Sequence, residues 1–359
     1  MKMPRISVMF LALAIFATTL LPGTTRANSQ GGPTLLKYSV QVTVNRLVRY
    51  WKQPEMDNYW SWLPKVNFLV MGPVVAGTVF TIDFTNPDGT PWYSVECFSE
   101  AVAAGRWGAV GTPTITTHID KRTTLATGVF GFKIRVKNEL MGTNATLFTG
   151  KFKVNKFHKG NNLPDFKNQF EYYVDQDWSL PIGYLWLTTQ TEPNAPVPVA
   201  SMWFRGESDA TKLAAYLFYN GKQISSTKER TGSAASDASL LTSGNDTDPR
   251  WERWSFRWYN VRAFNVEPNN NSSFFLLSSN PGEYEVKVLR DGDLARSMKF
   301  TIGPDGKFVD NGISTNNGLG WYGLVLPVKV LGTSDGTWDA TAWKTAAFYG
   351  NPLTGFTVP

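Results

Sequence analysis

Two groups of aromatic residues are the part of this chain best suited to recognition chemistry. Trp51, Tyr59, Trp60 and Trp62 lie close together, as do Trp251, Trp254, Trp258 and Tyr259. Trp and Tyr rings present an apolar face that stacks on a sugar ring or fills a partner's pocket. The stretch from Tyr50 to Trp62 contains Pro54, Asp57 and Asn58 and lacks strand periodicity, so it reads as a loop. Aromatics on a loop call for either a ligand or a lid that packs down over the fold. Trp254, Phe256 and Trp258 alternate and point into a core, whereas Trp251 and Tyr259 fall on the opposite parity. The candidate ligand-binding residues are therefore Trp51, Tyr59, Trp60, Trp62, Trp251 and Tyr259.

Catalysis has weaker support. Nucleophilic hydrolysis needs a base beside the nucleophile, and the two histidines are His118, in a strand-like stretch, and His158, in a polar one. Glu96, Glu100, Glu207, Glu252 and Glu283 could supply a carboxylate pair for glycoside hydrolysis, but nothing local raises one above another. Calcium wants clustered oxygens. Asp246 with Asp248, Asp291 with Asp293, and Asp305 with Asp310 are candidate pairs, although Asp is also the ordinary turn residue. No catalytic or metal residue is assigned, and no cofactor is implied beyond structural calcium as a minor candidate. Cys97, the single cysteine, alternates with Tyr93 and Val95 and reads as a small core residue.

The N-terminus reads as an address. Lys2 and Arg5 precede an uncharged run from Ile6 to Leu21, Pro22-Gly23 break it, and Thr25-Arg26-Ala27 offers small residues around a cleavage site. This is the layout of a secretory signal peptide, cleaved after Ala27. The run is shorter than the roughly 20 residues needed to span a bilayer. No second such run follows, so no transmembrane segment is expected in the mature chain. Losing Lys2, Arg5 and Arg26 lowers the formal charge from +6 to +3. So small a charge on 332 residues excludes nucleic acid as the expected partner. Clusters such as Arg46…Arg49 and Lys151…Lys153…Lys156 read as solvated strand faces.

These residues must be positioned by strands. Leu36, Tyr38, Val40, Val42 and Val44 alternate with polar residues, as do Phe80, Ile82 and Phe84, and then Phe130, Phe132, Ile134 and Val136. Asn220-Gly221 and Asp291-Gly292 each separate two strand-like stretches, the strongest short-range hairpin signal. Gly128-Val129-Phe130-Gly131-Phe132-Lys133-Ile134 can be laid over Gly282-Glu283-Tyr284-Glu285-Val286-Lys287-Val288. Each closes on a similar strand, Lys151 to Val154 or Lys299 to Ile302. This Gly-x-aromatic-x-apolar-x-apolar strand with its partner resembles the final hairpin of immunoglobulin-like sandwiches in exported bacterial proteins. The resemblance implies that Tyr284 occupies the tyrosine-corner strand of that fold.

The expected fold is all-β, two tandem antiparallel immunoglobulin-like β-sandwich domains after a cleaved signal peptide. Its parts are a signal peptide at 1–27, a first sandwich at 33–157, a linker at 158–167, a second sandwich at 168–310, and a C-terminal extension at 311–359 packing on the second. The expected function is a non-catalytic binding or scaffold protein, secreted or periplasmic, whose partner is a polysaccharide or an envelope protein. The alternative is a carbohydrate-active enzyme on a β-sandwich.

Overall fold

Burial follows the alternation of apolar and polar residues along the strands. The computed structural model describes residues 32–49, 59–103, 105–111, 122–158, 170–188, 196–206, 211–228, 232–236, 251–264, 274–317, 319 and 323–359, and Gly32–Pro359 form one compact unit. The chain is all-β, with antiparallel sheets. A four-stranded sheet has the order β1 (Thr34–Arg49), β2 (Tyr59–Met71), β6 (Arg106–Gly111), β5 (Phe98–Ala103). A five-stranded sheet has the order β4 (Pro91–Glu96), β3 (Val79–Thr85), β7 (Gly128–Asn138), β8 (Thr143–His158), β9 (Phe170–Asp175). β9 follows the polar stretch expected as a linker, yet it pairs with β8.

The two sheets share a core with Trp62 at its centre. Its ring, 0% exposed, meets Phe130 edge-on at 4.9 Å and Trp92 at 5.4 Å. Each such contact adds about 0.5–1.5 kcal/mol beyond area burial. β1 carries an irregularity between Leu36 and Gln41, where Ser39 Oγ donates to Leu36 O and accepts from Leu69 N. The hydroxyl replaces a carbonyl that the bulge takes out of the ladder.

A nine-stranded sheet has the order β13 (Lys222–Ser226), β12 (Leu213–Tyr219), β18 (Gly282–Arg290), β19 (Asp293–Ile302), β20 (Gly323–Val330), β10 (Ile182–Leu187), β11 (Pro198–Arg205), β15 (Trp251–Trp258), β14 (Gly232–Ser236). β20 is shared: Gly323–Pro327 pair with β10 and Val328–Val330 with β19. Residues from both ends of this sheet, Leu213 and Leu217 with Trp254, Phe256 and Trp258, enter one second core. Trp258 Nε1 donates across it to Ala215 O at 3.4 Å. The sheet therefore folds back on itself around that core as a β-sandwich. Asn220 and Asp291 adopt positive φ of 45° and 54°, as the two hairpin turns require.

The two halves match at the level of register. Gly128 pairs with Val154 and Gly282 with Ile302, and both glycines open their strands at positive φ (122° and 147°), a conformation that costs a glycine little. Two residues on, Phe130 stacks on Phe152 at 5.7 Å, and Tyr284 stacks on Phe300 at 4.9 Å. Tyr284 Oη donates to Asn280 O at 2.7 Å, four residues upstream.

β10 and β11 are buried on both faces. Tyr184, Trp203, Trp251 and Val325 pack into the first core, while Leu185, Met202, Phe204 and Trp254 pack into the second. Strands covered on both sides read as continuous apolar runs, which explains Ile-Gly-Tyr-Leu-Trp-Leu in β10. Residues 311–359 reach both parts. Asp335 lies 2.7 Å from each of Nη1 and Nη2 of Arg296, which is fully buried, and Phe348, Tyr349 and Phe356 enter the first core.

Candidate ligand-binding surface

Of the aromatic candidates whose side chains are described, Trp62 and Trp251 are buried in the first core and Tyr259 is exposed. Trp62 lies in β2 rather than in a loop, and its Nε1 donates to Ala126 O at 2.9 Å within the first core. The strand continues to Tyr59 despite its broken periodicity because β1 supplies a full ladder, pairing Arg49 with Tyr59. Tyr59 and Trp60 open β2, with their side chains outside the described set, and Trp51 lies outside the described residues altogether. Trp251, expected at the surface from its parity, is 4% exposed. It does face away from Trp254, Phe256 and Trp258, but that face is covered by the first core. Arg205, its pairing partner on β11, places its guanidinium 5.3 Å from the Trp251 ring.

Tyr259 remains at the surface, 42% exposed. It follows β15 directly, so the ring is held at a strand end, and its hydroxyl shares a 2.9 Å hydrogen bond with Ser233 Oγ on the edge strand β14. Three residues on, Arg262 donates from Nη1 to Tyr259 O and Val261 O. The Arg262 guanidinium lies 4.3 Å from the centre of the Phe274 ring, and burial holds its pKa below the usual arginine value. Val261–Arg262 (β16) pair in parallel with Phe275–Leu276 (β17), which fixes Arg262 and Phe274 in place. Phe264 is also exposed. A surface tyrosine beside a cation and apolar rings can stack one face of a ligand and hydrogen-bond its edge. Arg262, Phe264 and Phe274 escaped the sequence reading because they flank a polar stretch and share no strand period with Tyr259.

The remaining chemistry is local. Among the described residues, no group of three or more His, Cys, Asp or Glu could hold a metal ion. Asp291 occupies its hairpin turn at positive φ. Asp305 Oδ1 accepts from Lys307 N, and Asp310 accepts from the backbone of Gly312 and Thr315. These are turn hydrogen bonds. Asp246, Asp248, Glu207 and His118 lie outside the described residues. Glu252 is buried and accepts from Trp254 Nε1 at 3.0 Å, whereas Glu96, Glu100 and Glu283 are exposed on three different strands. His158 is exposed, edge-on to Phe170. Burial, with a smaller push from Glu96, raises the Cys97 thiol to about 12, so it is a poor nucleophile at neutral pH.

No protein-family model matches the chain, and no curated protein matches it in sequence. Among the described residues, no helix is long and apolar enough to cross a membrane.

Proposed function

We propose that this is an exported, non-catalytic binding or scaffold protein of the envelope or extracellular space, built from two immunoglobulin-like modules, that takes a glycan at the Tyr259 surface. Export rests on the pattern from Lys2 to Ala27. The module reading draws support from the matching registers of β7–β8 and β18–β19 and from the Tyr284 hydrogen bond to Asn280 O, the geometry of a tyrosine corner. The observation that carries the binding reading is Tyr259, an exposed aromatic anchored at a strand end beside Arg262 and Phe274.

Fluorescence titration of the chain processed after Ala27 against neutral polysaccharides tests it. A saturable response that Tyr259→Ala abolishes while the far-ultraviolet circular dichroism stays unchanged is expected. No response to any polysaccharide from the folded protein would remove the glycan reading.

A further inference from the structure

The outer face of the five-stranded sheet carries a basic band. Lys133, Arg135 and Lys137 on β7 are exposed between the buried Phe132, Ile134 and Val136. Lys151 and Lys153 on β8 do the same beside the buried Phe152 and Val154. Lys133 pairs with Thr149, and Gly131 with Lys151, so Lys133 and Lys151 occupy diagonal positions on neighbouring strands. On its other side Lys133 lies directly opposite Asp83 of β3. Arg135 is engaged, donating to Asn144 Oδ1 at 3.0 Å and lying 3.6 Å from Asp83. Lys153 lies 3.5 Å from Asp175. Among the described residues, no ion pair involves Lys133 or Lys151. Lys137 is paired as well, 2.7 Å from Glu139 just beyond the end of β7. The other two acids sit on the flanking strands, Asp83 on β3 and Asp175 on β9, which leaves Lys133 and Lys151 in the middle of the band. From the Val129–Lys153 pair to Lys137 the band is about 27 Å long, at roughly 3.4 Å per residue.

We infer that this band binds a linear acidic polysaccharide. Its length suits an extended polymer rather than a single small anion. Thr81, Thr85 and Thr149 lie beside the cations by register and offer hydroxyls to sugar and carboxylate oxygens. A flat sheet face presents no helix or two-stranded ribbon that could enter a nucleic-acid groove. The inference rests on the reading of an exported glycan binder but concerns a different surface from that of Tyr259.

Titration calorimetry of the processed chain with sodium polygalacturonate at low salt tests it. Binding that weakens as salt is raised is expected. The double variant Lys133→Gln/Lys151→Gln should weaken it by about thirtyfold, Lys133→Arg/Lys151→Arg should preserve it, and Lys299→Gln on the second half should leave it unchanged. Polygalacturonate binding that the Gln double variant does not weaken overturns the inference, as does duplex DNA binding as tightly as polygalacturonate. Loss of neutral-glycan binding alone would remove the Tyr259 reading and leave this one standing. Neutral-glycan binding without polygalacturonate binding would do the reverse.

Discussion

The amide of Val42 donates to the hydroxyl of Tyr349 at 2.7 Å, across 307 positions of sequence. Val42 lies in β1, at one edge of the four-stranded sheet, where among the described residues no strand pairs with its amide and carbonyl. Gln176 Nε2 donates to Val42 O at 3.2 Å, so two side chains from elsewhere close the edge. An open edge is a template for pairing with other chains. Tyr349 and its neighbour Phe348 adopt positive φ of 59° and 49°. That conformation costs roughly 1–2 kcal/mol for each non-glycine residue, offset here by burial of both rings.

Tyr349→Phe keeps the ring and removes the acceptor, leaving the Val42 amide buried without a partner. A loss of about 1–3 kcal/mol is expected, read as a lower urea midpoint at unchanged m. An unaltered midpoint would show that this edge closure contributes nothing to stability.

Arg296, fully buried, spends its donors on both Asp335 oxygens, on Trp203 O and on Ala295 O. Asp335→Ala leaves that cation without its counter-charge and should cost about 3–5 kcal/mol. Arg296→Met/Asp335→Ala should cost less than the sum of the two single variants. A double-mutant cycle with no coupling would refute the pair.

Burial raises Tyr172 and Tyr184 from the ordinary tyrosine value to about 12, and pushes Tyr284 and Tyr349 up as well. Each is neutral when protonated, so above pH 10 the unfolded chain loses these protons first. Stability contributed by these groups is whole below pH 10 and falls as pH rises towards about 12. Tyr184→Phe should flatten that fall. The measurement is the urea midpoint across the alkaline range, and a slope identical to that of the parent would exclude Tyr184 as a contributor.

Tyr284→Phe removes the hydrogen bond to Asn280 O and makes the position resemble Phe130 in the first half. A cost of about 1 kcal/mol is expected, with the ring stack on Phe300 retained. Calorimetric unfolding would detect it, and a cost near zero would deny the corner a stabilising role.

The strands were legible because alternation is local. Phe80, Ile82 and Phe84, or Tyr284, Val286 and Val288, sort themselves into one buried face whatever lies opposite. The Asn-Gly and Asp-Gly turns were equally local, since both depend on the φ that those residues tolerate. The exposure of Tyr259 was legible from parity alone, whereas Arg262 and Phe274 meet only because two short stretches pair in parallel.

The strand faces, the hairpins and the likeness of the two halves are readable along the chain, because each follows from residue types a few positions apart. What covers each face depends on how the sheets pack together. Parity turns Trp251 away from the second core, but the docking of the first core against β10 and β11 buries it. Period-two alternation reports which residues share a face, and carries no information about the partner that face meets. The same holds for Tyr349, whose place against Val42 is set by long-range packing.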